Sequence, residues 1–186
     1  MTNTSSQFAI TTKKVTVPNL ATPIEIVSLV NSHGLTVSLS NLGASILSVT
    51  VPEKEGSTTT EIALNYQNTA DWVTNPYYFG VTAGRVANRV GGACFELNGK
   101  KICLTANEGR NQLHGGPAGL STRFWSYKTQ HDENSVAVIY QYHSVDGDQG
   151  FPGNMNIELE YRLNADNELA LNYRAISDQT TPICLT

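Results

Sequence analysis

Hydrophobic and polar residues alternate along much of the chain, and this period of two is typical of half-buried β-strands. The clearest runs are residues 35–39, 136–140, 157–163 and 169–173. Turn-forming residues separate the runs, and no segment has the period of an amphipathic helix of three turns. Residues 68–72 are expected to form one helical turn. The pattern predicts an all-β fold, an antiparallel β-sandwich or barrel, in a single domain of residues 1–186.

The pair Asn98-Gly99 predicts a hairpin that can be assigned residue by residue. These two residues favour a type I′ turn, which fixes the register of the flanking strands. The predicted pairs are Leu97 with Lys100, Glu96 with Lys101, Phe95 with Ile102 and Cys94 with Cys103. Because side chains alternate across a strand, one face carries the apolar residues and the other, solvated face carries both cysteines.

Cys94 and Cys103 are expected to be reduced thiols. Their direct opposition makes a disulfide geometrically possible. However, the chain has three cysteines, and an odd number does not make a disulfide framework. A cytoplasmic protein also normally keeps its thiols reduced.

The charge of the chain argues against two classes of partner. Only 15% of the residues are charged and the net charge is −4. The chain therefore lacks the excess of positive charge that binding to nucleic acid or to an anionic membrane requires. No apolar run approaches the length of a membrane span, and residues 1–7 show no secretory signal. We therefore expect a cytoplasmic protein that binds neither nucleic acid nor a membrane.

Several polar residues are better explained by structure than by chemistry. His33 lies in a predicted turn, and His131 and His143 flank a predicted strand, so all three are expected at exposed or edge positions. The acidic loop 146–153 lacks the late glutamate of a calcium-binding loop, and Phe151 suits a packed loop better. The sequence has no zinc-ligand spacing, nucleophile elbow, phosphate-binding loop or dinucleotide fingerprint. No metal site is predicted.

Glycine-punctuated segments between residues 75 and 153 carry the most specific signal. In order they are Asn75-Pro76-Tyr77-Tyr78-Phe79-Gly80, Gly84-Arg85-Val86-Ala87-Asn88-Arg89-Val90, Phe95-Glu96-Leu97-Asn98-Gly99-Lys100, Leu104-Thr105-Ala106-Asn107, Asn111-Gln112-Leu113-His114-Gly115-Gly116 and Gly147-Asp148-Gln149-Gly150-Phe151-Pro152-Gly153. From about Asn41 onward the chain resembles the aldose 1-epimerases, the galactose mutarotase family. The resemblance implies a large antiparallel β-sandwich, an active site without cofactor, and a small-molecule aldohexose partner, such as galactose or glucose, whose α and β anomers interconvert.

The resemblance also implies roles for individual residues. In the family, a general base at the anomeric hydroxyl and a general acid at the ring oxygen open the pyranose, which recloses after rotation about C1–C2. Asn88 and Arg89 match the substrate-binding Asn-Arg pair of the family. His114 matches its first active-site histidine, a catalytic and substrate-binding residue that hydrogen-bonds the sugar near its reacting end. Arg85 is expected to support the loop rather than to contact the sugar.

Part of the family pattern has no counterpart in the 186 residues. Residues 182–186 match a Pro-x-x-Leu-Thr segment, which the second histidine of the family, its general acid, follows. The sugar-binding aspartate and the general-base glutamate lie further downstream in the family. The resemblance thus covers an N-terminal portion ending on an apolar strand with an unpartnered edge. We expect a truncated product, an incomplete sequence or an expression fragment, with impaired activity.

Two alternative functions remain open. A sugar-binding relative that has lost catalysis would keep Asn88, Arg89 and His114. An epimerase of hexose 6-phosphates would need a basic pocket for the phosphate dianion. The candidates for that pocket are Arg85, Arg89, Arg110 and Arg123.

Overall fold

The N-terminal strands form the first of two main sheets. The computed structural model describes residues 8–53 and 58–186, so the secretory-signal prediction for residues 1–7 lies outside the described part. The strands are β1 (Ala9–Val15), β2 (Ile24–Val30), β3 (Thr36–Ser40), β4 (Ser45–Pro52) and β5 (Thr59–Glu61). Each strand is antiparallel to the next, in the order β1-β2-β3-β4-β5.

Short elements occupy the segment between the two main sheets. They are α1 (Asp71–Thr74), β6 (Arg89–Val90), β7 (Cys94–Leu97), β8 (Lys100–Cys103) and β9 (Gln112–Leu113). Strand β6 pairs with β9 and β7 pairs with β8, both antiparallel. The helical turn predicted at residues 68–72 begins later, because residues 68–70 form the tight turns that lead into α1. Among the described residues, no helix has the length and apolar character that crossing a membrane requires.

The C-terminal strands form the second main sheet. They are β10 (Ser126–His131), β11 (Ser135–Ser144), β12 (Met155–Asn164) and β13 (Leu169–Ser177). All three neighbouring pairs are antiparallel. The alternation read from the sequence therefore corresponds to strands β3, β11, β12 and β13, and the all-β antiparallel prediction is confirmed.

The core lies between the two main sheets. Each sheet contributes the apolar half of its alternating side chains, and together they form one cluster whose central members are Val27, Leu29, Val37, Leu39, Val138, Tyr140, Leu159 and Tyr161. Tyr161 also donates a hydrogen bond across the core to the backbone oxygen of Ala44, at 2.7 Å. This bond satisfies a hydroxyl that would be costly to bury alone. The arrangement is a β-sandwich.

Strand β13 is covered less than its neighbour β12. Tyr173 pairs with Leu159 and Leu171 with Tyr161, so their side chains lie on the core face of the sheet. Leu159 and Tyr161 are buried, whereas Leu171 and Tyr173 remain 38% and 37% exposed. Within the described residues, β13 bonds to β12 alone. The core face of the second sheet is therefore partly uncovered at β13.

The prediction that the chain ends on a strand is wrong, because residues 180–186 are extended but belong to no sheet. Residues 180–186 form an extended segment with one parallel bridge, between Cys184 and Val86. The backbone N–H of Cys184 donates to the oxygen of Arg85 at 2.9 Å, and its oxygen accepts from Ala87 at 2.8 Å. Partners in the loop that precedes β6 therefore satisfy this backbone, and no sheet ladder is needed.

The β7–β8 hairpin has the predicted register. Its pairs are Cys94 with Cys103, Phe95 with Ile102, Glu96 with Lys101 and Leu97 with Lys100. Asn98 and Gly99 both have positive φ, 51° and 73°, as a type I′ turn requires. Phe95 and Ile102 pack against a small cluster of Ala93, Leu104 and Phe151. This packing anchors the hairpin against the loop that contains Phe151.

Candidate functional site

Two distant segments of the sequence meet at the β6–β9 ladder. Arg89 pairs with Leu113, and the backbone N–H of His114 donates to the oxygen of Asn88 at 2.9 Å. The ladder therefore places the two predicted motifs, residues 84–89 and 111–116, side by side. All three candidate residues, Asn88, Arg89 and His114, come together in one cluster.

The imidazole of His114 has a defined protonation pattern. Its Nδ1 accepts a hydrogen bond from the backbone N–H of Asn88 at 3.1 Å. An accepting Nδ1 is unprotonated, so the neutral ring carries its proton on Nε2 and can donate it to a ligand. Burial lowers the pKa of His114 below its ordinary value of 6.5, and the charge of Arg89 lowers the pKa further, against an opposing effect of Glu108. The ring is therefore held neutral at neutral pH.

Both residues of this bond have unusual backbone conformations. Asn88 has φ 62° and His114 has φ 49°, in the left-handed region that residues other than glycine rarely occupy. Such strain persists where surrounding contacts impose it, and it is concentrated at functional sites. Next to His114, a Cβ on Gly115 would lie 1.7 Å from the backbone oxygen of Gly84. Only glycine fits there, so the two loops are locked together.

Arg89 is oriented by an acidic residue, Glu108. Its Nε donates to Oε2 of Glu108 at 2.6 Å and its second terminal nitrogen donates to Oε1. Another guanidinium nitrogen donates to Oδ1 of Asn88 at 3.3 Å. The bond from Arg89 lowers the pKa of Glu108 and raises the pKa of Arg89 itself. Arg89 keeps 53% of its side-chain surface exposed, so the cluster faces open solvent.

The sequence did contain a signal for Glu108. Between Gly84 and Trp125, only Glu96 and Glu108 are acidic. Glu96 lies opposite Lys101 in the hairpin, which leaves Glu108 as the acidic partner for an arginine of the site. Tyr78, from the motif at residues 75–80, also contacts the cluster. Its ring centroid is 4.7 Å from that of His114, with the planes inclined by 53°, so it limits the rotation of the imidazole.

The loop before β9 is held by side chains that replace backbone partners. The Asn107 amide accepts from the N–H of Leu113 at 2.7 Å and donates to the oxygen of the same residue at 3.0 Å. Gln112 is buried and donates to the oxygens of Thr105 and Gln149 at 3.0 and 3.2 Å. These amides fix Gln112 and Leu113, the two residues directly before His114. Asn107 and Gln112 are thus structural supports of the site.

Arg85 does not belong to the exposed cluster. It is buried, with 2% of its surface accessible. Its guanidinium donates five hydrogen bonds, to the hydroxyl and backbone oxygen of Ser144 and to the oxygens of Val145, Pro152 and Gly153, at 2.8–3.0 Å. The prediction that Arg85 supports the loop agrees with this geometry.

The remaining candidate residues lie outside the cluster of Asn88, Arg89 and His114. His33, His131 and His143 are exposed, as predicted. The loop at 146–153 is packed around Phe151, which is fully buried. Within the part of the chain that the structure describes, no group of three or more histidine, cysteine, aspartate or glutamate side chains is arranged to hold a metal ion.

The arginines proposed for a phosphate pocket are mostly engaged elsewhere. Arg85 donates to backbone oxygens in the interior, and Arg89 is paired with Glu108. Arg123 donates to Asp148 at 3.0 Å. To bind these arginines, a phosphate dianion would have to displace the carboxylates of Glu108 and Asp148 and the backbone oxygens that bind Arg85. This arrangement disfavours the hexose 6-phosphate alternative.

The exposed cluster is suited to hydrogen bonding with hydroxyl groups. It offers the Nε2–H of His114, the side-chain amide of Asn88 and the guanidinium of Arg89, held within one network. Planar amide and guanidinium donors fix the orientation of a polyhydroxylated ligand. His114 is the titratable group of the cluster that is free of an ion pair, since Glu108 is bound to Arg89. Such a cluster can bind a sugar and polarise one of its oxygens.

Comparisons with known proteins are consistent with this interpretation. A family model described as Aldose 1-epimerase matches residues 25–186. The aldose 1-epimerase of Escherichia coli (strain K12) is 35% identical over 164 residues, which are 88% of this chain and 46% of the relative. The galactose mutarotase of Sus scrofa is 34% identical over 155 residues, 83% of this chain and 44% of the relative. The chain therefore spans about half the length of the curated relatives it matches.

A solved structure shows the same fold. The galactose 1-epimerase from Lactobacillus acidophilus NCFM matches with a TM-score of 0.84 at 24% sequence identity, over 95% of this chain and 51% of that chain. The sandwich implied by the resemblance is thus confirmed at the level of fold. The match again covers about half of the longer protein.

Proposed function

The chain belongs to the aldose 1-epimerase family, and from this premise we propose that the protein interconverts the α and β anomers of free aldohexoses such as galactose and glucose. Asn88, Arg89 and His114 hold the sugar. The observation that carries the proposal is the hydrogen bond from the Asn88 N–H to Nδ1 of His114. It leaves a neutral imidazole that presents Nε2–H beside the donors of Asn88 and Arg89.

The reaction requires two proton transfers. A base removes the proton of the anomeric hydroxyl, and an acid protonates the ring oxygen as the C1–O5 bond breaks. After rotation about C1–C2, the reverse transfers close the ring with the other configuration at C1. Each well-placed acid or base contributes a factor of roughly 10²–10⁴ to the rate.

His114 supplies one part of this chemistry. Its neutral ring donates Nε2–H to a sugar oxygen near the reacting carbon and so withdraws electron density there. Arg89 holds a hydroxyl group in position, and Glu108 keeps the guanidinium oriented. The second histidine and the general-base glutamate of the family have no counterpart among the 186 residues. We therefore expect the 186-residue chain to bind sugar and to catalyse anomerisation poorly.

Polarimetry on freshly dissolved α-D-galactose tests the catalytic part of this proposal. The 186-residue chain is expected to change the optical rotation little faster than buffer, whereas the longer Escherichia coli relative, assayed in parallel, serves as the positive control. Rates approaching those of the control would mean that an acid and a base lie within these residues, contrary to the assignment.

Binding is tested separately by thermal unfolding with and without sugar. Millimolar galactose or glucose should raise the Tm of the chain and of His33→Ala, which changes an exposed turn residue. His114→Ala should lose the shift. A wild-type chain without any shift would contradict the binding role of the cluster.

A non-catalytic sugar-binding protein is the second candidate. The observation that favours it is that the hydrogen bonds of the cluster orient Asn88, Arg89 and His114 as donors to hydroxyl groups, which suits binding whether or not a reaction follows. The two candidates differ in one measurement, the mutarotation rate of the protein translated from its complete open reading frame. Catalysis by that protein supports the epimerase, and sugar binding without catalysis supports the alternative.

A further inference from the structure

Cys94 and Cys103 lie directly opposite each other at the open end of the β7–β8 hairpin. The N–H of Leu104 donates to the oxygen of Ala93 at 2.7 Å, so Ala93 and Leu104 form a hydrogen-bonded pair. Hydrogen-bonded and non-hydrogen-bonded pairs alternate along an antiparallel ladder, which makes Cys94 and Cys103 a non-hydrogen-bonded pair. In such pairs the Cα atoms are about 4.5 Å apart, within the range that a disulfide spans.

The side chains of this pair also point towards each other. Their Sγ atoms are 2.7 Å apart, and both cysteines are free thiols. Cys103 is exposed and Cys94 is half-buried, so a small reagent can reach Cys103 first. The third cysteine, Cys184, is also exposed but lies on a different segment, the extended C-terminal one.

We propose that Cys94 and Cys103 are a reversible oxidation site, a dithiol that a low-molecular-weight disulfide such as oxidised glutathione converts into a cross-strand disulfide. The Sγ of Cys103, as the thiolate, attacks one sulfur of the reagent, forms a mixed disulfide and releases one thiol. The Sγ of Cys94 then attacks the Sγ of Cys103, and the second thiol leaves. Two protein S–H bonds are lost, one S–S bond forms, and the two electrons and two protons reduce the reagent to two thiols.

The position of the pair gives the bond a mechanical consequence. Arg89 lies five residues before Cys94, and Glu108 lies five residues after Cys103. The disulfide would therefore join the two strands that lead to the Arg89–Glu108 ion pair. Oxidation closes a loop of about ten residues, which restricts the unfolded chain. The oxidised protein is stiffer at the base of the candidate site, and this inference does not depend on what the site binds.

The test uses the whole 186-residue chain, reduced and then equilibrated in buffers of increasing oxidised-to-reduced glutathione ratio. Peptide mapping without reductant should detect one cross-linked product that joins Cys94 and Cys103. The Tm of that product should be about 5 °C higher than that of the reduced chain. The variant Cys184→Ser keeps the pair and should behave in the same way.

The variant Cys103→Ser separates the proposal from general thiol reactivity. It should form no internal cross-link and should not retain phenylarsine oxide, which binds two neighbouring thiols at once, whereas Cys184→Ser should retain it. Separate glutathione adducts on Cys94 and Cys103, or no cross-link at the most oxidising ratio, would overturn the proposal. If Cys103→Ser fails to fold, peptide mapping of Cys184→Ser still decides between these outcomes.

Discussion

Residues 84–89, the end of the loop before β6 and the first residue of that strand, have a buried half and an exposed half, and each half contains one arginine. Arg85 is 2% exposed and donates only to neutral oxygens. Four residues later, Arg89 is half exposed and is paired with Glu108. The two side chains have the same chemistry and belong to one motif, yet one holds the fold together and the other faces solvent. Burial and partners, rather than residue type, therefore determine which arginine is available to a ligand.

The largest expected effect concerns the buried half. Arg85→Ala should lower the free energy of unfolding by about 4 kcal/mol, because it removes the donor of the buried hydrogen bonds to the oxygens of Ser144 and Gly153. Urea denaturation followed by tryptophan fluorescence measures this change. Arg85→Lys should recover only part of the loss, since an ammonium has fewer donors. A loss below about 1 kcal/mol for Arg85→Ala would mean that the network contributes little.

The next effect concerns ligand binding at the exposed half. His114→Ala removes the Nε2–H donor and should weaken sugar binding at least tenfold, about 1.4 kcal/mol. Isothermal titration with galactose measures the affinity, and His33→Ala is the control that also removes one imidazole. Unchanged affinity in His114→Ala would place the sugar elsewhere.

Arg89→Ala should separate binding from stability. Its ion pair with Glu108 is exposed, and exposed pairs contribute little to stability because solvent screens them. We therefore expect the free energy of unfolding to change little, while sugar affinity falls several-fold. Paired urea and titration experiments check both quantities. The contrast with Arg85 would fail if Arg89→Ala unfolded the protein as severely as Arg85→Ala.

The smallest effect is a pH dependence. The pKa of His114 in the folded chain is lower than its ordinary value of 6.5, so the unfolded chain binds more protons between these values. The stability contribution of this group is complete above pH 6.5 and is lost as the pH falls through the folded pKa. Sugar affinity should also stay constant from about pH 8 to 6.5 and should fall only at a pH below 6.5. There Nδ1 of His114 becomes protonated and can no longer accept the hydrogen bond from the Asn88 N–H. An NMR titration midpoint for His114 above 6.5 would contradict this prediction.

Local signals in the sequence predicted the parts of the fold that local chemistry determines. Asn98-Gly99 fixed the register of β7 and β8, since few other residues adopt positive φ twice in succession. Alternation identified β12 because one face of this strand is buried. In β11, residues 135–140 are buried on both faces, and the apolar run at 136–140 indicated the strand. Edge strands β1 and β10 were not predicted, since most of their residues are exposed and show no alternation. Residues 180–186 form no strand for a different reason, because their backbone bonds to Ala83, Arg85 and Ala87 in the loop before β6.

Long-range contacts explain what the sequence could not predict about the site. The resemblance identified Asn88, Arg89 and His114, but the bond between the Asn88 N–H and His114 Nδ1 joins residues 26 positions apart. The partner of Arg89 is Glu108, 19 positions away. Such contacts depend on the β6–β9 ladder, which is only two residues long in each strand and leaves no periodic pattern.

The close contact between Gly115 and Gly84 limits how the protein could be redesigned. A library that randomises this loop would lose the variants changed at Gly115, since any side chain there would displace the neighbouring backbone. Altered ligand preference would have to come from positions whose exposed side chains do not hold the loops, such as Arg110. Changes there would leave the paired loops intact and vary only the surface around them.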